Sequence, residues 1–537
     1  MIIMKVIILN TSISEKGGGK GEPTVPPKID FASYKNELMK NPKMSHLLTS
    51  SFIDIHDNTI PFDSFSANSD FGLLTLNFAK CEPTTEDTFI LFTIDKTGSM
   101  LEQGRMDYVK QTFKNIIQFI SKCESPVHIR VHAFNDSVQV LVDTIRVTSE
   151  NADQIINAIA NIEAERSTAI DLALTESASA MKSHSDENPG QAIFHIFMTD
   201  GEPTVGIKNH SNLAALVDPK FPAIFIGFGQ QHNSALLRHL SASHLNRYDI
   251  VDNLEHTGVV YGNIMHEILY RSITDLSLTV ENGKIYDWTT NQWTTNISDP
   301  SISGDSQKIY HLTTTSASEL VVKIEGIPAG ESSPVLLDTA FVIPDLEDIE
   351  TGELQSSRTD LSKYMYRQSV QELMFESRFI GSKIQEFKAR VSALFRSMRK
   401  FMRLNGLTTD RMMIQLCDDL YIMHSTIGTK DGLNITMARG QSQGRQQSNT
   451  VPLTPNRVRS PSFEDFDFAP PKRRRDASMS SITPISNDPD ENDEMDTAFT
   501  FDSKDYDDDI SRYELCDDPV SCFASPSAVN TMNSIVG

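Results

Sequence analysis

Phe89-Ile90-Leu91-Phe92-Thr93-Ile94-Asp95-Lys96-Thr97-Gly98-Ser99-Met100 is an unbroken apolar run that stops at an acid, with two hydroxyl residues following at two-residue spacing. A short apolar run without alternation reads as a strand buried on both faces. Met106, Val109, Phe113, Ile116, Ile117 and Ile120 then recur at three- and four-residue steps, which predicts a helix over about 102–122. A buried strand that ends in Asp-x-Thr-x-Ser brings three hard oxygen donors to its carboxyl end. In an open α/β sheet that is where ligands bind.

The same alternation continues outward. Strands are predicted at 127–134, with a short hairpin partner at 137–142, and at 192–199, 223–228 and 248–251. Helices are predicted at 150–162, from just after Thr168 to about Lys182, around Leu236, Leu237 and Leu240, and at 254–271. Apolar strands separated by helices imply a doubly wound, mostly parallel α/β sheet over 88–272. Residues 1–50 read as a partly flexible extension, Gly-, Lys- and Pro-rich over 11–30, and 51–87 as a β segment. At Leu276 the composition turns to Thr, Ser, Val and Ile, so 273–350 reads as an antiparallel β-sandwich-like module. The strand at 71–80 is expected to pack on that module, with the α/β domain inserted between the two. Residues 358–430 read as helical, with a Met and Phe stripe as core. From about Gly432 the chain is Ser-, Gln-, Pro- and Asp-rich, and 431–537 reads as a disordered acidic tail.

A net charge of −24 over 537 residues argues against general nucleic-acid binding, because phosphate attraction needs a basic surface. No stretch resembles a transmembrane helix, so no membrane partner is expected. Five cysteines, odd in number and without CxxC spacing, point to a reducing compartment rather than a disulfide or zinc framework. The chain is therefore expected to be intracellular and cytoplasmic, with Lys472-Arg473-Arg474-Arg475 as a candidate nuclear import signal. Thr454-Pro455, Ser460-Pro461 and Thr483-Pro484 are candidate phosphorylation sites.

Asp95, Thr97, Ser99, Thr168 and Asp200 fall at the ends of two strands and in one intervening loop, positions that converge at a switch point of a doubly wound sheet. Carboxylates and hydroxyls without thiol or imidazole suit a hard divalent cation, Mg2+ (or Mn2+). The pattern resembles the von Willebrand factor type A domain with its metal-ion-dependent adhesion site. The family's Asp-x-Ser-x-Ser stands here as Asp95-Lys96-Thr97-Gly98-Ser99, its Thr as Thr168, and its last Asp as Asp200 in Phe197-Met198-Thr199-Asp200-Gly201. His132-Ala133-Phe134-Asn135-Asp136 also looks like the family, whereas the glycines usual before that Thr are absent. The β segments on both sides resemble the layout of inter-alpha-trypsin-inhibitor heavy chains. The resemblance implies a non-enzymatic protein-binding module whose metal takes a Glu or Asp from a protein partner. Thr97 and Ser99 are then the direct ligands, Thr168 a direct or water-mediated one, and Asp95 and Asp200 act largely through water.

Asp-Lys-Thr-Gly is also the phosphorylation motif of P-type ion pumps, and a strand-terminal Asp nucleophile marks the haloacid-dehalogenase fold. In that reading Asp95 attacks a phosphoryl group. Membrane helices are lacking, Ser99 stands where the pump motif continues with Thr, and Thr97 occupies the place of the phosphatase's second Asp. A third reading is a scaffold that keeps the fold with a metal site that no longer works.

Overall fold

The computed structural model describes residues 69–343 apart from 124, 166, 201, 229–231, 252–256 and 332, then 358–450, then 509–536 apart from 517, and three short strands nearer the N-terminus. Those strands are β1 (Lys5–Val6), β2 (Met44–Leu48) and β3 (Ile53–Asp54), and β4 (Asp70–Phe78) follows. The α/β unit runs β5 (Thr88–Asp95), α1 (Arg105–Ile120), β6 (Val127–Phe134), β7 (Val138–Arg146), α2 (Ala152–Ala160), α3 (Ile170–Glu187) and β8 (Ala192–Thr199). It continues through α4 (His210–Ala214), β9 (Ala223–Phe228), α5 (Ser234–Leu240), β10 (Arg247–Val251) and α6 (Thr257–Leu269).

Its sheet has the order β10-β9-β8-β5-β6-β7, parallel except for the β6–β7 hairpin. Every residue of β5 is buried, because helices cover both faces of the sheet. Ile90, Phe92 and Ile94 pack with Met106, Phe113 and Ile117 of α1 and with Ile264 and Ile268 of α6. Phe89 and Leu91 face the other way, onto Met181 of α3. This two-sided burial is why the run lacks polar alternation. Asp95 stands opposite Phe134 of β6, and Ile94 opposite Met198 of β8, so Asp95 and Thr199-Asp200 end side by side.

After the α/β unit come β11 (Arg271–Glu281), β12 (Lys284–Asp287), β13 (Gln292–Thr294), β14 (Asn296–Ser303), β15 (Ser306–Thr314), β16 (Val321–Pro328) and β17 (Val335–Ile343). They form two antiparallel sheets, β1-β17-β16-β11-β14 and β13-β12-β15-β4-β2, with β3 also on β4. β4 pairs with β15 along its whole length. Leu74, Leu76 and Phe78 of β4 share one core with Leu276, Leu278, Ile302, Val322 and Ile324 of the facing sheet. The α/β unit is thus inserted between the two parts of one sandwich.

Helices α7 (Arg358–Glu376), α8 (Ile384–Leu404), α9 (Arg411–Thr426), α10 (Lys430–Arg445) and α11 (Pro526–Val536) complete the described chain. The Met and Phe stripe is core: Phe387, Val391, Phe395, Met398 and Met402 of α8 are buried against Met413, Leu416 and Leu420 of α9. The expectation that order ends near Gly432 is corrected at two places. Residues 430–445 form α10, where Arg439 pairs with Asp419 inside the protein and Gln443 Nε2 donates to Asp419 Oδ2 at 2.9 Å. Composition misreads this stretch because its polar side chains are satisfied by buried partners rather than by water. Residues 526–536 form α11, which packs on α6 and α1 of the α/β unit. Gly262 of α6 permits the contact, since a Cβ there would lie 2.4 Å from the Met532 Cα. The flexible lead-in at 11–30, the basic run at 472–475 and the three Thr/Ser-Pro dipeptides lie outside the described residues. Among the described residues no helix is long and apolar enough to cross a membrane.

Candidate metal centre

The strand ends bring four of the five predicted residues into one hydrogen-bonded chain. Asp95 has no solvent exposure; its Oδ1 accepts from the Thr97 backbone N–H at 2.8 Å and its Oδ2 from the Thr199 hydroxyl at 2.6 Å. Thr97 Oγ1 and Ser99 Oγ are 3.0 Å apart, and Ser99 Oγ donates to Asp200 Oδ1 at 2.8 Å. The chain turns sharply after Asp95: a short 3-10 segment over Gly98–Gly104 swings it from the sheet into α1. Gly104 closes that turn with φ of +69°, a conformation glycine adopts without steric cost.

Thr168 is buried in the loop before α3, and it makes no hydrogen bond with the other four. Its N–H donates to Thr204 Oγ1 at 2.7 Å, and its carbonyl accepts from the N–H groups of Thr204 and Val205. Glu165 N–H donates to the Lys96 carbonyl at 2.8 Å and Ala169 N–H to the Asn135 carbonyl at 2.8 Å. The loop is therefore laid against the ends of β5 and β6 without the glycines usual at that place. Backbone bonds to Lys96, Asn135 and Thr204 hold it instead.

Burial and then the charge of Asp200 push the Asp95 carboxyl up to about 7, while the hydrogen bonds from Thr199 and Thr97 act in the opposite direction. Two carboxylates this close under a covered strand end call for a positive charge. Arg105, the first residue of α1, supplies one: its guanidinium pairs with Asp200 Oδ2 and reaches the Ser99 carbonyl at 3.4 Å. Its Nε is buried without a hydrogen-bond partner among the described residues.

The sequence reading overlooked Arg105, Thr199 and Thr204. Arg105 carried a signal, because a cation in the first turn of a helix opposes the helix dipole and needs a local reason. The two threonines carried none; their roles come from strand register and loop packing.

The oxygens of Asp95, Thr97, Ser99 and Asp200 suit a hard divalent cation, with Arg105 holding one oxygen of Asp200. Among the described residues no cluster of three or more His, Cys, Asp or Glu is placed to hold a metal, so any ion here depends on the hydroxyls. The arrangement disfavours Asp95 as a nucleophile, because both its oxygens are engaged and fully covered.

Residues 90–260 match the family profile of the von Willebrand factor type A domain. The chain is similar to bovine inter-alpha-trypsin inhibitor heavy chain H4, 24% identical over 222 residues, covering 40% of this chain and 24% of that protein. It is also similar to human inter-alpha-trypsin inhibitor heavy chain H6, 29% identical over 164 residues, covering 28% of this chain and 12% of that one. The chain thus spans about a quarter or less of these relatives. Among solved structures, it resembles the ArnB paralog VWA2 from Sulfolobus acidocaldarius (13% identity, TM-score 0.45, 75% of this chain and 99% of that one). It also resembles a von Willebrand factor type A protein from Catenulispora acidiphila (14%, TM-score 0.43, 73% and 89%). The inserted α/β unit of this chain is a von Willebrand factor type A domain.

Proposed function

We propose that this chain is a non-enzymatic, intracellular protein-binding module that captures an acidic side chain of a partner through Mg2+ (or Mn2+). The observation that carries the reading is the hydrogen-bonded run Asp95–Thr97–Ser99–Asp200 at the adjoining ends of β5 and β8. Thr97 and Ser99 hold the ion, Thr168 adds a hydroxyl from its loop, and Asp95 and Asp200 set the local negative charge. When bound, the cation supplies a Lewis-acidic position that a partner's Glu or Asp completes. The sandwich braces the domain through β4, and the helices enlarge the surface around it.

Calorimetric titration of the full chain with Mg2+ tests the site, with Asp95→Ala and Asp200→Ala as controls. Absence of binding, or binding indifferent to both changes, overturns the metal assignment. A pull-down with and without EDTA then separates metal-bridged capture from plain docking. The Arg105–Asp200 ion pair favours a second reading, in which the arginine replaces the metal and the protein is a scaffold. That reading expects partner capture to survive EDTA.

A further inference from the structure

Away from the metal centre, a cavity of about 730 Å3 lies where β12, β14 and β15 of the sandwich meet α5, α7 and α10. Its lining includes Arg238, Arg367, Arg378 and Arg445. Among the described residues none of the four is ion-paired with a carboxylate. Arg367, only 2% exposed, donates one guanidinium N–H to the Gln443 carbonyl at 2.6 Å and lies 2.9 Å from His311 Nε2. Arg445 donates to the Asn246 carbonyl at 2.6 Å, Arg378 stacks on Phe375, and Arg238 reaches the Met437 sulfur at 3.9 Å. The Nε atoms of Arg367, Arg378 and Arg445 are buried and, among the described residues, without hydrogen-bond partners.

Two acids share the lining; both accept hydroxyl hydrogen bonds, and Asp299 also acts on the charge of Arg445. Asp287 accepts from the hydroxyls of Thr289 and Thr290, and Asp299 from the Tyr310 hydroxyl at 2.7 Å. Burial without a carboxylate partner pushes the Arg367 guanidinium down to about 10. Burial, and then the charge of Arg238, lowers Arg378 as well. Asp299, Glu267 and Asp249 act on the charge of Arg445, whereas Arg238, Arg367 and Arg378 have no carboxylate ion pair among the described residues, which runs against a net charge of −24. Such a cluster is stabilised when an anion supplies the missing charge.

We propose that this cavity is a binding site for a compact, soluble polyanion carrying two or more phosphate groups. Arginine presents a planar fork of donors that matches phosphate oxygens two at a time. The volume falls in the range of pockets that enclose small ligands. Exposed Ala242, His244, Thr289 and Thr290 in the lining leave one side open for entry. The site shares no residue with the metal centre and stands whether or not that centre binds Mg2+.

The test uses the full chain in EDTA, with inorganic pyrophosphate and inositol hexakisphosphate as probes, read by calorimetry and thermal unfolding. Both probes are expected to bind and to raise the melting temperature. Arg238→Gln and Arg378→Gln remove partly exposed guanidiniums with few protein contacts, so the unliganded variants should melt with the parent. Each is expected to weaken binding about tenfold or more, as the loss of a charged hydrogen bond does. Absence of binding by either probe at millimolar concentration, or unchanged binding in the double variant, overturns the proposal. So does retention on phosphoinositide-containing vesicles without binding of the soluble probes, which would assign the cluster to a lipid surface.

Discussion

Replacing Arg105 with methionine, which keeps the length of the side chain and removes its charge, separates the counter-ion of Asp200 from its packing. The Asp200 side chain is fully covered and that of Arg105 is 8% exposed, so water is poorly placed to take over the lost charge. Breaking a buried pair from one side costs about 3–5 kcal/mol, since the remaining charge is left uncompensated. For a domain of this size that corresponds to a fall of roughly 10 °C in melting temperature. The assay is thermal unfolding of the full chain in EDTA and in millimolar Mg2+. In EDTA the variant should melt well below the parent. With Mg2+ it should recover more than the parent gains, because the Asp200 Oδ2 that Arg105 held is then open to the ion. Coincident melting of variant and parent in EDTA would show that Arg105 is not the counter-ion. A deficit in EDTA that Mg2+ leaves undiminished would show that no metal takes the place of the guanidinium.

Further outcomes are expected elsewhere. Asp95 keeps its proton up to about pH 7 in the folded chain and loses it near pH 3.8 when unfolded, so the folded state binds more protons between those values. In EDTA, stability should therefore fall as pH rises from about 4 to 7, by up to roughly 4 kcal/mol, and level off above 7. Urea titrations across that range should show this slope, and Asp95→Asn should flatten it. Arg439→Ala should cost about 3–5 kcal/mol by stranding Asp419, while Arg439→Met with Asp419→Leu should recover most of the loss in the same denaturation assay. Met532→Ala, which empties a buried contact between α11 and α6, should lower stability by about 2–5 kcal/mol. Gly262→Leu should release α11, visible as faster amide exchange over 526–536, because its side chain would overlap the Met532 backbone.

Local pattern carried the strands of the α/β unit well. β5, β8 and β9 were legible because each is buried on both faces, which leaves a run of apolar residues that few other structures produce. α1 was legible from its three- and four-residue steps. That the strand at 71–80 packs with the later β module was expected from chain order; its pairing with β15, more than two hundred residues away, came from the structure. α10 and α11 were not legible. α10 is polar by composition, and its stability rests on Arg439 meeting Asp419 and Gln443 meeting the same carboxylate, which no local window contains. α11 is an ordinary amphipathic segment whose partner, α6, lies about 270 residues earlier.

The candidate centre divides along the same line. Asp95, Thr97 and Ser99 were determined by sequence alone, because a strand that ends in alternating oxygen side chains needs only its own geometry to present them. Asp200 followed from a second strand of the same kind. Tertiary structure alone decided that β5 and β8 are neighbours in register, which sets Ser99 on Asp200 and Thr199 on Asp95. It also decided that Thr168 is held by Thr204 rather than by a glycine turn, and that Arg105 already stands on Asp200. Apolar periodicity is a property of one segment and survives in the linear chain. A buried charge takes its meaning from what faces it, and that is known only once the strand ends have come together.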